Sequence, residues 1–520
     1  KVDADWAALQ EEEVSRFVRG TFLSDAPVVR VSAVTGEGLP ALTEALDAIA
    51  SRAQGKDTGL FFRLPVDRSF SMKGFGTVVT GTVTGGTVRS GDEVQVLPGG
   101  PIARVRGLQV HGGTAESSSA GTRTAVNLQG VEKESVPRGS VLCHPGTLSP
   151  TKEADAFVEY LPMAPRPMKR RARVSFHSGT SSSLAKVLLL GTSEIPPGGS
   201  GYARIILDEE IVLMGGDRFI LRGFSPLENF GYTIGGGRVL NPYPARRKGT
   251  GKAVPQALSD LRSPEASDRV LAALQDAGRS GLGAKEAAVI AGVGLPAAQA
   301  ETGRLASFGK IRADAAGSRY WHAASVEETG GEGIRALTVL HDRFPDREGF
   351  PREEIAAQVP GGADPELVAL ALAARPDAGK AGDFFFLPAK RPRSVELSSP
   401  LAQSIAAKVR ETGLSALSRA ELGDLLRPTD RKEFEKTLDA LVKGGAVLRV
   451  KELFFDLGAT GALKEKLVSH LERKGEITVP EFKDLAGGLS RKYVIPLLEH
   501  FDMSKVTLRI GDKRVLRKGK

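Results

Sequence analysis

The chain has 520 residues, 41% hydrophobic and 26% charged, with a net charge of +9 and a single cysteine, Cys143. That length exceeds what one hydrophobic core supports, so several domains are expected. The lone cysteine excludes an internal disulfide and argues against a cysteine-based metal site. No apolar run approaches the ~18 residues needed to cross a bilayer, and Lys1-Val2-Asp3 has no signal-peptide character. A reducing, cytoplasmic setting without a membrane partner is therefore expected.

The stretch from Trp6 to Gly20 is charged and amphipathic and predicts a helix. Val28-Val29-Arg30-Val31 predicts a strand running into Ser32-Ala33-Val34-Thr35-Gly36-Glu37-Gly38-Leu39, with a helix over 40–50. Leu64 and Val66 then alternate with polar neighbours. Lys73-Gly74-Phe75-Gly76 bends the chain, and 77–83 is β-branched almost throughout, as strands tend to be. Gly85-Gly86 precedes Val88, and Ser90-Gly91-Asp92 precedes Val94-Gln95-Val96. Further strands are expected over 102–110, 122–128 and 141–144, completing a first barrel. A second barrel is expected from strands over 154–160, 171–177, 184–190, 201–207, 217–223 and 235–240. Asn241 to Pro255, with Arg246-Arg247-Lys248, reads as a linker.

From residue 256 the character changes. A helix, a polar turn, a second helix, a Gly turn and two short β-rich pieces recur four times, starting near Asp268, Gly333, Pro400 and Ala462. Successive starts differ by 65, 67 and 62 positions. This pattern predicts four tandem winged-helix domains. A helical-hairpin solenoid is the alternative, but its repeats are mostly shorter and lack the terminal β pieces. Over 490–520, nine Lys and Arg face three acidic residues. Such a basic end suits a polyanion partner, or is simply a solvated surface.

The run Gly76-Thr77-Val78-Val79-Thr80-Gly81-Thr82-Val83, followed by Gly91-Asp92-Glu93-Val94, resembles the second domain of translational GTPases of the elongation factor Tu family. A generic small β-barrel is the other reading of the same strands. Asp217-Arg218-Phe219-Ile220-Leu221-Arg222, with Ile234-Gly235-Gly236-Gly237-Arg238-Val239-Leu240, is similar to the third domain of the selenocysteine-specific elongation factor family. Lys1-Val2-Asp3 resembles the end of an Asn-Lys-x-Asp guanine motif, and Ser32 to Gly38 resembles a Ser-Ala-x-x-Gly-x-Gly guanine loop. The resemblance implies a multidomain fold: a remnant of an α/β G domain (1–55), two tandem β-barrels of the elongation factor Tu type (59–148 and 151–245), a linker (246–262) and four winged-helix domains (263–325, 332–390, 397–458 and 461–520). It implies guanine-binding roles for Lys1, Asp3, Ser32 and Ala33. No Gly-x-x-x-x-Gly-Lys-Ser/Thr phosphate loop occurs in the chain. The expectation is therefore a fragment, inactive as a GTPase and without a tightly bound cofactor, from a protein that when complete binds and hydrolyses GTP with Mg2+.

The same resemblance implies an aminoacyl pocket formed by Asp67, Arg68 and Arg123. A selenol is largely ionised near neutral pH, whereas a serine hydroxyl is neutral and a cysteine thiol, with a pKa of about 8.5, is mostly protonated. Two guanidinium groups facing the side chain favour the anion, and the carboxylate can hold an amino group and orient Arg68. The plain alternative is a surface ion pair of small worth. Arg166, Lys169, Arg170, Arg171 and Arg173 either meet tRNA phosphates or form a solvated strand edge. In the last winged helix, Ser490 reads as the N-cap of a helix carrying Arg491 and Lys492 at its positive end, with a kink expected at Pro496. Arg509, Lys513 and Arg514 lie on the following hairpin. These five cations are the implied contacts to an mRNA stem-loop, with selenocysteinyl-tRNA and the ribosome as further partners of a monomeric factor. No catalytic or metal-binding residue is expected. A general translational GTPase of the elongation factor Tu type and a winged-helix nucleic-acid-binding regulator are the competing readings.

Overall fold

The computed structural model describes residues 2–53, 55–72, 76–227, 231–245, 254–345, 347–390 and 399–517. Lys1, the Lys73-Gly74-Phe75 bend and Arg246-Arg247-Lys248 lie outside these residues. The chain divides into two compact units, one of residues 1–337 and 351–385, the other of 338–350 and 386–520.

The first unit opens with helix α1 (Ala4–Val18), whose N-terminus is capped by the Asp3 carboxylate accepting from the Trp6 N–H at 2.8 Å. Helix α2 (Leu39–Arg52) carries Pro40 in its first turn. The strand expected over 28–31 does not form: these residues have no sheet partner among the described residues, and Val28 and Val31 are 45% and 49% exposed. A buried parallel strand needs neighbours on both sides. None of residues 2–53 is buried.

The first barrel is built from β1 (Arg63–Met72), β2 (Gly76–Thr82), β3 (Glu93–Leu97), β4 (Ile102–Val110), β5 (Arg123–Gln129) and β6 (Val141–Cys143). The strand order is β3-β6-β1-β2-β5-β4, and pairing of β3 with β4 closes the ring. Leu64, Val66, Val79, Val126 and Leu128 point inward and are fully or almost fully buried, each stabilising the fold by about 1.5–3 kcal/mol relative to exposure. The second barrel is a closed ring of β7 (Pro150–Tyr160), β8 (Arg171–Ser178), β9 (Ser181–Leu190), β10 (Ser200–Val212), β11 (Arg218–Leu227) and β12 (Gly231–Asn241), in the order β7-β10-β9-β8-β11-β12. Ala154, Ala156 and Val158 alternate into its core against Ala203 and Ile205. Arg63 of β1 forms a two-pronged ion pair with Asp217 of the second barrel at 2.5 and 2.6 Å, and Asp217 also accepts from the Met214 N–H.

Helix α3 (Gln256–Asp260) lies inside the stretch read as linker, with Leu258 fully buried against Leu240 and Ala273. The first winged helix comprises α4 (Ala266–Ala277), α5 (Ala284–Ala291), α6 (Leu295–Ser307), β13 (Ile311–Ala313) and β14 (Tyr320–His322). It therefore contains three helices where the sequence pattern suggested two. This domain is fused to the barrels. One apolar cluster joins Phe61, Leu97 and Cys143 of the first barrel region, Val212 and Met214 of the second, and Val270, Leu274 and Val289 of the winged helix. Gly215 donates to the Val289 carbonyl at 2.9 Å. A Cβ on Gly215 would lie 1.8 Å from the Ile290 carbonyl oxygen, so the backbones meet only because no side chain intervenes. Helix α7 (Ala323–Arg343) continues directly from β14 and is followed by α8 (Arg352–Gln358), α9 (Pro365–Ala373), β15 (Gly379–Ala381) and β16 (Phe384–Phe386).

The second unit contains two complete winged helices. The first has α10 (Pro400–Thr412), β17 (Leu417–Ser418), α11 (Arg419–Leu426), α12 (Arg431–Lys443), β18 (Val447–Val450) and β19 (Leu453–Asp456), with sheet order β17-β19-β18. The last has α13 (Leu457–Lys474), β20 (Glu476–Thr478), α14 (Val479–Leu485), α15 (Arg491–Met503), β21 (Thr507–Ile510) and β22 (Lys513–Leu516), with order β20-β22-β21. Ala416, Val450 and Phe455 of the former pack into one core with Leu467, Phe482, Leu497 and Phe501 of the latter.

Candidate functional site

Asp67 owes its position to an irregularity in β1. Val66 pairs with Gly81 and Arg68 with Thr80, so two steps on β1 oppose one on β2 and Asp67 is the extra residue of a β-bulge. A bulge bends the strand and re-aims the side chain it carries. Gly81 makes the approach feasible, because a Cβ there would sit 2.3 Å from the Pro65 carbonyl oxygen. The Asp67 carboxylate accepts from Arg123 Nη1 at 2.5 Å and from Thr80 Oγ1 at 2.7 Å. Burial alone would raise its pKa, but the hydrogen bonds from Arg123 and Thr80 and the charges of Arg123 and Arg68 outweigh it and hold the carboxyl below its usual value. Arg123 has 57% of its side chain exposed and Arg68 is exposed, so both cations are open to a ligand. The expected Asp67, Arg68 and Arg123 are thus brought together on the outer face of β1, β2 and β5.

Two neighbours on that face escaped the sequence reading. Thr80 fixes the second carboxylate oxygen. Asn127, two positions beyond Ala125 on the same face of β5, has a buried Oδ1 without a hydrogen-bond partner among the described residues. A buried acceptor left unpaired costs roughly 1–3 kcal/mol, which a ligand donor would recover. A strand Asn carries no sequence mark of this; only the pairing of Val78 with Asn127 and of Phe70 with Val78 aligns it with the bulge.

Ser32 anchors the loop that follows the 28–31 segment. Its N–H donates to Glu37 O at 2.9 Å, its carbonyl accepts from Gly36 N–H at 2.8 Å, and its Oγ accepts from Thr35 N–H. Ala33 lies within this closed loop. Asp3 engages Trp6 through Oδ1, which leaves Oδ2 for a donor. Lys1 lies outside the described residues.

In the last winged helix, α15 begins at Arg491 with Ser490 as N-cap, although the Ser490 side chain makes no capping bond, and the helix runs unbroken past Pro496. Its first N–H groups therefore lack that side-chain partner, as an anion site requires. Arg491 is exposed and has no ion-pair partner among the described residues. Lys492 donates to Glu421 of α11 at 3.1 Å. Arg509 is exposed on the wing, and Lys513 is exposed but paired with Glu476. Arg514 departs from expectation: 5% of its side chain is exposed, and it bonds Asp502 at 3.0 Å. Alternation along β22 turns Lys513 outward and Arg514 onto the covered face, where Asp502 meets it, so Arg514 is committed to the fold.

The basic run of the second barrel is partly neutralised, Lys169 by Glu194 and Arg173 by Asp208. Two cavities, of about 410 and 1060 Å³, lie along the seam between the barrels and the first winged helix, and neither includes Asp67, Arg68 or Arg123.

Comparison with known proteins adds the lineage. Residues 76–143 match the family model for elongation factor Tu domain 2, and residues 157–246 match that for the β-barrel domain of selenocysteine-specific elongation factors. Residues 469–516 match the winged helix of elongation factor SelB. The chain is 34% identical over 539 residues to a selenocysteine-specific elongation factor of Desulfomicrobium baculatum, covering 99% of this chain and 81% of that protein. It is 25% identical over 504 residues to the protein of the same description in Haemophilus influenzae, covering 96% of this chain and 78% of that protein. A crystal structure of a bacterial selenocysteine-specific elongation factor, EF-Sec, aligns with a TM-score of 0.62 at 22% identity, over 99% of this chain and 79% of that one. At that identity the likeness speaks for the fold.

Proposed function

Because the chain belongs to the selenocysteine-specific elongation factor family, we infer that it carries selenocysteinyl-tRNA to the ribosome at recoded UGA codons and grips an mRNA stem-loop with its C-terminal winged helices. The observation that carries the tRNA part is the bulge at Asp67, with Arg123 bonded to its carboxylate and Arg68 beside it. Asp67 holds Arg123 in one orientation, and the two guanidinium groups present a positive field to the side chain on the tRNA end. A selenolate satisfies that field. A serine hydroxyl brings no charge to Arg68 and leaves Arg123 only its bond to Asp67 as both cations lose water, a desolvation cost that discriminates against it. Asn127 and Thr80 support the same face.

In this family, bound GTP supplies the phosphoanhydride whose hydrolysis makes delivery directional. In this chain Lys1, Asp3, Ser32 and Ala33 would hold the guanine end. Among the described residues no cluster of His, Cys, Asp or Glu could hold a metal ion, so Mg2+ is assigned no residues.

The test is the preference of Arg123→Ala for selenocysteinyl- over seryl-tRNA. A charge-assisted contact worth ~1.5 kcal/mol or more predicts a loss of about tenfold in that ratio, with the barrel still folded by circular dichroism. An unchanged ratio places selectivity elsewhere.

A further inference from the structure

On the outer face of the second barrel, Arg218 of β11 stands directly opposite Arg238 of β12. Side chains so paired share a face, roughly 4.5–5.5 Å apart at Cβ, and like charges there repel. Two other like-charged pairs have relief built in. Arg173, opposite Lys186, bonds Asp208, and Arg514, opposite Arg509, bonds Asp502. Arg218 and Arg238 are both exposed and have no carboxylate partner among the described residues. The adjacent Asp217 is already committed to Arg63.

The pair lines the groove of about 1060 Å³ between this face and the first winged helix. Across the groove, Arg262 lies 3.6 Å over the Phe157 ring. Arg269 is held by the carbonyls of Ser263, Pro264 and Ala291. Four arginines line the groove against one carboxylate, Glu159. The backbones of the two walls are tied by the contact of Gly215 with Val289, so the groove stands before any ligand arrives. At about 1060 Å³ the groove sits at the upper end of the range for small-molecule pockets and has room for a stretch of polymer.

We propose that this groove binds the phosphate backbone of an RNA strand, at a site separate from the Asp67 bulge and from the last winged helix. Guanidinium forks match phosphate oxygens two at a time, and a phosphate seated between Arg218 and Arg238 turns their repulsion into shared attraction. The inference rests on the reading that this chain carries RNA. It is tested with the full chain carrying Arg491→Ala and Lys492→Ala, which silences the other basic site, and a fluorescein-labelled, unacylated transcript of the host's selenocysteine tRNA. Adding Arg218→Ala and Arg238→Ala should weaken binding about tenfold and flatten the slope of log affinity against log salt by about 1.5–2, the loss of two phosphate contacts. Thermal stability should hold or rise, because a repulsion is removed. Arg218→Gln with Arg238→Gln carries the same test should the alanine pair fail to fold. Unchanged affinity and slope overturn the proposal, as does displacement of the RNA by a decaglutamate peptide at equal charge concentration, which would mark a site for acidic protein. Selectivity at Arg123 is read separately from this measurement, so a failure here leaves the proposed function standing.

Discussion

A carboxylate that holds an arginine in one orientation has to stay ionised throughout the working range, and Asp67, bonded to Arg123, meets that demand. Burial opposes ionisation at this site, but the bonds from Arg123 and Thr80, reinforced by the charge of Arg68, prevail and keep the folded-state pKa below the unfolded value. The sign follows from linkage. A depressed carboxyl contributes stability above its unfolded pKa, about 3.9, and loses it as the pH falls through the folded value. The selectivity for selenocysteinyl-tRNA should therefore be flat in its Asp67 dependence from pH 8 to pH 5. Carbon-13 NMR of the Asp67 carboxyl should show its midpoint below the ordinary range, and Arg123→Ala should move that midpoint upward. A midpoint unaffected by Arg123→Ala would mean that the ion pair does not persist in solution.

At the scale of elements, α15 and α11 form a coupled pair. Glu421 closes the capping box of α11 with Ser418 and bonds Lys492 at the start of α15. The Ser418 backbone bond, the Ser418 side chain and then Lys492 hold its carboxyl at about 2, so this pair is ionised at any physiological pH. Lys492 must leave Glu421 to reach a phosphate, whereas Arg491 is already available. Arg491→Ala should therefore weaken binding of the host's selenocysteine-codon hairpin more than Lys492→Ala. Glu421→Gln, which preserves the capping box, should strengthen it. The measurement is anisotropy with the hairpin and a scrambled hairpin at ~150 mM salt, near physiological ionic strength. Equal affinity for both hairpins would leave only electrostatic adhesion. The strands of both barrels and the repeat of wing modules were legible in the sequence because alternation and turn chemistry are local signals, whereas Asp67, Arg68 and Arg123 were singled out by family likeness alone and stand as a proposal. Three features were not legible. The bulge depends on register between β1 and β2, Arg514 on being the middle strand's inward residue, and the missing 28–31 strand on partners that local pattern does not report.

For the whole first unit, the question is whether the barrels and the first winged helix are separate beads or one cooperative body. The buried cluster that runs from Phe61 and Cys143 through Met214 to Leu274 and Val289 argues for one body. Leu274 is fully buried on α4, so Leu274→Ala should cost about 2–5 kcal/mol through lost burial and the cavity left behind. If the domains were independent, that loss would stay within the winged helix. With a shared core it must appear in the first barrel, and Cys143 reports there. It is the chain's single cysteine, it is fully buried, and burial raises its thiol pKa, so labelling requires opening. In native buffer at pH 8.5, Leu274→Ala should accelerate maleimide labelling of Cys143 by about thirtyfold or more, the factor that 2 kcal/mol of lost protection gives. Leu467→Ala, in the last winged helix and outside this cluster, should leave the labelling rate unchanged. If both variants label at the parent rate, the cluster does not couple the domains and the groove walls are not rigidly held. A body that melts as one keeps the groove arginines of the second barrel and the Asp67 face of the first in fixed register, so the coupling seen by Cys143 is also the coupling that the proposed engagement of one RNA by both would require.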